Sequence, residues 1–266
     1  MSALKGMFSF FTMMRLDITQ GDMDDMDKQF WMIPAVGAFY GLMAAFLMTV
    51  LTHYTHHPLM SAVITFFVIF SVNRFLHIDG TIDFGDGVVV AGTREDHLRA
   101  LKDPKIGAGG MAFALMVILM SITMASSIWP FAFIALLLFS AEVMVKVGMV
   151  SAAAFWTPGD GMAGNSVRNT NTISLLFAVI TAAVLISVAA LFVYLMGEHT
   201  SLPVALPDHH LILLPAAGIV SIITGWVMSR IAKRNFGYVN GDVLGATNEI
   251  TRATVLLTFL ILLAVI

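Results

Sequence analysis

LMSAVITFFVIFSVNRFLHIDGTIDFGDG, residues Leu59 to Gly87, runs from an apolar segment long enough to cross most of a roughly 30 Å hydrocarbon core into a segment with three aspartates. The order matters. An apolar stretch with no charge before Arg74 reads as a membrane helix, and Asp79, Asp83 and Asp86 follow at spacings i, i+4 and i+7, within an arc of roughly 60° on a helix. Three carboxylates aimed at one point repel one another, and a divalent cation between them makes them stable neighbours. Hard oxygen ligands of this kind suit Mg²⁺ or Mn²⁺ bridging a phosphorylated substrate. The competing reading is a solvated, Asp-rich helix end. It is disfavoured because exposed acids rarely hold one helical face, and two Asp-Gly pairs here lie beside a membrane span.

Outward from this stretch the apolar pattern repeats. The chain has 266 residues, 58% hydrophobic and 12% charged, with a mean hydropathy of +0.88, so its apolar surface exceeds what a water-soluble domain could bury. Runs at Trp31 to Leu51, Leu59 to Leu76, Gly109 to Ile128, Pro130 to Phe155, Ile173 to Met196, Leu211 to Ile231 and Leu244 to Ile266 predict about seven transmembrane helices. No strand-period alternation competes with them. The fold class is an all-α integral membrane protein, read as one polytopic domain over residues 1–266, with no internal repeat, linker or low-complexity tract.

Lys and Arg set the expected orientation. Lys5, Arg15 and Lys28 precede the first span; Arg74, Arg94, Arg99, Lys102 and Lys105 follow the second. Lys146 and Arg168 accompany the fourth span and its loop, and Arg230, Lys233, Arg234 and Arg252 bracket the last loop. The alternate connections, His53 to Pro58, Ser127 to Trp129 and Gly197 to His210, hold none. An excess of cations on one side predicts a plasma-membrane protein with a cytoplasmic N-terminus, an external C-terminus and an aspartate cluster facing the cytosol. The net charge of −3 gives no reason to expect nucleic acid as a partner, and the lipid bilayer is the expected surrounding. A homo-oligomer is compatible with the sequence but not specified by it. The absence of cysteine excludes thiolate chemistry and disulfides. Leu4 to Ile18, Phe-rich but carrying Arg15 and Asp17, reads as an interfacial helix rather than a removable signal. Asp22, Asp24, Asp25 and Asp27 read as a solvated loop.

Four further signals carry chemistry. Arg94 to Lys102 predicts a short cytosolic amphipathic helix; beyond it Lys102 and Lys105 flank Asp103, and Gly107, Gly109 and Gly110 open the next span. A glycine-rich turn at a helix start offers bare N–H groups to an anion, and two lysines beside it suit a diphosphate. In NFGYVNGDVLGATNEI, Asp242 and Glu249 stand i, i+7 with Asn248 beside them, as the lining of a cavity or, for Asp242, as a helix cap. Glu142 and Lys146, i, i+4 within an apolar run, read either as a mutual ion pair or as a substrate contact. His53, His56, His57, His199, His209 and His210 fall in outer connections and read as solvated, and the 19 methionines as core and lipid-facing packing.

HIDGTIDFGDG, then LKDPKIGAGG and GDVLGATNEI, preceded by FWMIPAVGAFYGL with its Pro34, Gly37 and Gly41, together resemble the cobalamin synthase family, the adenosylcobinamide-GDP ribazoletransferases. The matches run in order from the first span to the last. The family usually reads Asp-Ser-Arg-x-Gly where this chain has Asp103, Pro104, Lys105, Ile106 and Gly107, so a lysine point charge replaces an arginine fork. An arginine is also common where Lys146 stands. The resemblance implies a phosphoryl-type transferase that moves the phosphocobinamide moiety of adenosylcobinamide-GDP to α-ribazole or its 5′-phosphate, releasing GMP. In that reading Asp79, Asp83, Asp86 and Asp103 hold Mg²⁺ (or Mn²⁺). Asp79 leads over His77 as the base. Arg74, Lys102, Lys105, Gly107, Glu142, Lys146, Asp242, Asn248 and Glu249 contact substrate. A distant similarity to the CDP-alcohol phosphotransferases rests on Asp83, Asp86 and Gly87. Gly107 stands roughly where that family's last aspartate would lie, and Asp79 is the proposed replacement. A phospholipid synthase of that kind, and a secondary transporter, are the alternative functions.

Overall fold

Helix follows helix in the computed structural model, which describes residues 2–128, 133–159, 161–199 and 210–265. Among these residues the elements are α1 (Ser2–Phe11), α2 (Gln20–Lys28), α3 (Pro34–Thr55), α4 (Pro58–Val72), α5 (Leu76–Val89), α6 (Arg94–Leu101), α7 (Ala108–Ser127), α8 (Ile134–Ala154), α9 (Met162–Asn169), α10 (Thr172–His199), α11 (His210–Asn235) and α12 (Gly241–Val265). No strand is present among them, the nearest approach being an isolated bridge between Pro158 and Val239. Pro34 and Pro58 open α3 and α4, where the missing N–H is needed by no carbonyl.

The apolar runs sort by what surrounds them. α8 is apolar on every side and buried along nearly its whole length, the pattern of a central helix. α3, α10, α11 and α12 pack around it. Gly37 and Gly41, one turn apart on α3, allow the close crossing: a methyl group on either would meet the α8 backbone, 2.5 Å from the Glu142 carbonyl oxygen and 2.7 Å from that of Phe139. α10 is the opposite case, with Ile173, Leu176, Phe177, Ile180 and Val184 exposed along one length of helix. In water such a stripe would drive aggregation; against lipid tails it is an ordinary surface. Among the described residues six helical segments are long and apolar enough to cross a membrane, and the pair α4 and α5 makes up to seven.

That pair departs from the expected straight span Leu59 to Leu76. The two helices meet at 93°. Asn73 ends α4, and Arg74 and Phe75 both take left-handed backbone conformations, φ 56° and 57°, which are uncommon for non-glycine residues. The turn is held by the Phe75 N–H donating to the Phe70 carbonyl at 2.8 Å and by the Arg74 guanidinium donating to the Phe10 carbonyl at 2.7 Å. The aspartate segment thus begins a new helix running across the preceding one.

The N-terminal segment also differs. The interfacial helix ends at Phe11 rather than Ile18, and the acidic patch is a helix, not a solvated loop. Thr19 and Asp22 form a reciprocal capping box that starts α2. Asp22 pairs with Lys5 at 3.4 Å, Asp25 accepts from the Ser2 hydroxyl, and the buried Asp27 accepts from the Ser166 hydroxyl at 2.5 Å. Each of these three carboxylates has a partner, which is what lets an acidic segment fold against the protein. Of the outer histidines, His53, His56 and His57 lie at the α3–α4 connection; His209 and the side chains of His199 and His210 lie outside the described residues, as do Trp129 and most of the Gly197 to His210 connection.

Candidate active site

α5 carries its polar residues on two faces, as a 3.6-residue period requires. His77 turns inward and is buried, whereas Asp79 is exposed and Asp83 and Asp86 are half-buried. The Asp83 carboxylate lies in the repulsive field of Asp79 and Asp86 on its own helix, and of Asp242 at the start of α12. Asp242 and Asp79 also repel one another. The close approach of the two helices depends on Gly80, where a methyl group would sit 2.9 Å from the Cα of Asp242. Among the described residues none of these four carboxylates has a Lys, Arg or His nitrogen within 4.0 Å. An uncompensated all-oxygen, all-anionic donor set is what a hard divalent cation neutralises, so its chemistry fits Mg²⁺ or Mn²⁺. As they stand, no three His, Cys, Asp or Glu side chains among the described residues are grouped closely enough to hold a metal ion.

Asp86 has a second duty. Its two carboxylate oxygens accept the backbone N–H groups of Gly107 and Gly110, each at 2.7 Å, so the glycine-rich start of α7 is capped by an aspartate from α5. The N–H groups expected to cradle a diphosphate are occupied by this carboxylate. A methyl group on Gly107 would fall 2.1 Å from Asp86 Oδ1, and one on Gly110 2.2 Å from the Ile82 carbonyl oxygen, which explains both glycines. Asp103 is exposed and accepts the Lys105 backbone N–H at 2.9 Å, apart from the other three aspartates; the fourth carboxylate acting on Asp83 is Asp242. Lys105 is also exposed, and Lys102 lies 5.8 Å from the Tyr238 ring. Arg74, bound to the Phe10 carbonyl, fastens α1 to the α4–α5 turn.

Beneath the carboxylates lies a buried charged network. The Lys146 ammonium donates to Asn248 Oδ1 at 2.6 Å and lies 3.2 Å from His77 Nε2. Glu142 and Lys146, expected as a possible i, i+4 pair, do not bond each other. Glu142 takes a two-pronged contact from Arg252, Nε to Oε1 at 2.6 Å and Nη2 to Oε2 at 3.1 Å, while Arg252 Nη1 bonds Glu249. The Asn248 amide donates to Glu249 at 2.9 Å. Arg252, counted from sequence among the cations that bracket the last loop, is 1% exposed. Its depth was legible: ten residues past Asp242 on a helix is roughly 15 Å into the bilayer, too far for a loop charge. Two carboxylates and two cations balance, as buried charges must.

A model of the cobalamin-5-phosphate synthase family matches residues 3–260. This chain belongs to that family. It is 33% identical to the adenosylcobinamide-GDP ribazoletransferase of Methanocella arvoryzae over 264 residues, 96% of this chain and 94% of the relative. It is 30% identical to the protein of that name from Thermococcus onnurineus, covering 96% and 95% of the two chains, and 30% to that from Pyrococcus abyssi, covering 88% of each. No solved structure matches the chain. Membership of the cobalamin-5-phosphate synthases makes this all-helical protein a membrane transferase of cobalamin biosynthesis.

Proposed function

We propose that the chain transfers the phosphocobinamide group of adenosylcobinamide-GDP to α-ribazole or its 5′-phosphate. A ribose hydroxyl oxygen bonds to the phosphorus that carries cobinamide, the diphosphate P–O bond breaks, GMP leaves with the electron pair, and the hydroxyl proton passes to a base. The observation that carries this reading is that Asp83 lies in the repulsive field of Asp79, Asp86 and Asp242 where α5 and α12 cross, with no cationic side chain within 4.0 Å of any of the four among the described residues, in a chain of this family. Asp79, Asp83 and Asp86, with Asp242 across from them, would hold Mg²⁺, which when bound supplies charge neutralisation at the diphosphate and the leaving phosphate.

The remaining chemistry belongs to side chains. Asp79 is our assignment for the base that accepts the hydroxyl proton, a role its exposure supports. His77, turned into the core against Lys146, is the weaker candidate. Asp86 ties the carboxylate face of α5 to α7, so that face is held rigid by two helices. Lys102 and Lys105 offer positive charge at the surface toward the phosphates. The cations support a cytosolic site: Arg94 reaches the Lys233 carbonyl at 3.4 Å, and Lys233 lies 3.7 Å from the Trp156 ring, which gathers residues of the basic loops at one end of the bundle.

The test is purified protein in detergent with Mg²⁺, adenosylcobinamide-GDP and α-ribazole 5′-phosphate. GMP release that depends on both substrates is expected. No release would overturn this reading, and CMP release from CDP-diacylglycerol and an alcohol would replace it with the phospholipid synthase.

A further inference from the structure

Between the N-terminal hairpin and the α5–α12 crossing lies a cavity of about 110 Å³. Phe10, Phe11, Met26, Phe30 and Met149 form its apolar walls. His77, Asp79 and Asp242 close the side it shares with the carboxylate cluster, and Ala163 on α9 stands on its rim. The walls are built. The Phe10 and Phe11 rings meet edge-on at 4.8 Å, and the end of α1 is fixed by Tyr40 and Arg74 donating to the Phe11 and Phe10 carbonyls. Ser166, which also lines the cavity, spends its hydroxyl on Asp27.

We infer that this cavity receives the flat aromatic base of the acceptor nucleoside and so presents its ribose hydroxyl to Asp79. The inference rests on the transferase reading above. Three physical arguments carry it. The volume is somewhat below the roughly 150 Å³ of an apolar cavity that takes up benzene, so the space is on the scale of an aromatic ring and excludes a corrin macrocycle. Phe and Met walls offer ring contacts and soft, adaptable packing, and among the described residues no Lys or Arg lines the space to hold a phosphate. The Asp79 and Asp242 carboxylates in its lining accept hydrogen bonds, which suits a reactant whose ribose hydroxyls face the cluster. Binding there would place base and attacking oxygen on opposite sides of the Asp79–Asp242 rim, with α1 and α2 as the wall that sets which base is accepted.

The test separates acceptor from donor. Ala163→Leu fills the rim from a half-buried position, and Phe10→Ala removes a partly exposed wall. Ala163→Leu, which adds three carbons, is expected to raise KM for α-ribazole phosphate by roughly ten-fold or more while KM for adenosylcobinamide-GDP stays within two-fold, since a single methylene in a pocket is already worth roughly ten-fold. Phe10→Ala should relax discrimination between benzimidazole and purine nucleosides. Free dimethylbenzimidazole should compete with the acceptor and not with the donor. Equal changes in both KM values, or competition against the donor, would overturn the inference. Titration of dimethylbenzimidazole onto wild type and Ala163→Leu reads binding without turnover. Binding lost in the variant supports the cavity even where no GMP is released, and equal binding in both rejects it. Displacement of the ligand by phospholipid acyl chains but not by ribazole would show a lipid site instead.

Discussion

Asp83 has the most crowded electrostatic position on α5, facing Asp79, Asp86 and Asp242 together. Replacing it with Asn relieves that repulsion, so Asp83→Asn is expected to abolish GMP release by a factor of a hundred or more while leaving thermal stability equal or higher. A variant that kept near-normal turnover would remove the cation from the mechanism. Asp79→Asn distinguishes two roles: as base, its loss slows the chemical step with donor binding intact; as metal ligand, its loss weakens both. Arg252 makes the contrasting prediction. It contacts no part of the carboxylate cluster, yet removing it strands Glu142 and Glu249 in the core. Arg252→Met should cost about 3–5 kcal/mol of stability, read as a fall in thermal midpoint in detergent, and Arg252→Lys should rescue part of it because charge is kept while the fork is lost.

Helices here are begun by side chains that reach back. α6 starts with the Thr93–Asp96 capping box, in which the Thr93 backbone N–H and then its hydroxyl hold the Asp96 carboxyl below the ordinary aspartate range. A carboxyl with a lowered folded pKa contributes stability that is complete above its unfolded value and is lost as the pH falls through the folded one. The start of α6 should therefore fray only in acid. The Thr93 amide proton should titrate by NMR with a midpoint below the ordinary aspartate value, and Asp96→Asn should erase that titration. α7 begins differently, on a carboxylate from another helix. Its glycines at 107 and 110 were legible as a turn that exposes N–H groups; that Asp86 fills them was not, because the donor and acceptor lie more than twenty residues apart.

At the scale of the whole molecule the transferase reading needs its site in the cytosol, where a nucleotide-linked substrate is available. An accessibility tag within Thr93 to Asp96 should label only from the cytosol, and one after Gly197 only from outside; the reverse pattern would overturn the orientation. Chelation with EDTA should stop GMP release, and Mg²⁺ or Mn²⁺ should restore it, whereas full activity without metal would dismiss the donor set as a metal site. The two measurements are independent, since one reads the distribution of Lys and Arg and the other the aspartates.

Membrane class, the number of apolar helices and the alignment of Asp79, Asp83 and Asp86 on one face followed from the sequence alone, because hydropathy and helical period are local properties of the chain. The family was likewise legible in motifs quoted from four segments. Everything that pairs distant residues waited for the tertiary structure. It broke the second span at Arg74 and Phe75, turned the acidic N-terminal patch into a packed helix, gave Glu142 to Arg252 instead of Lys146, and brought Asp242 rather than Asp103 to Asp83. The physical reason is the same in each case. A charge buried in a low-dielectric bundle takes whichever partner the packing of helices brings near, and helix packing is set by small residues such as Gly37 and Gly80 whose consequences appear only when two helices touch.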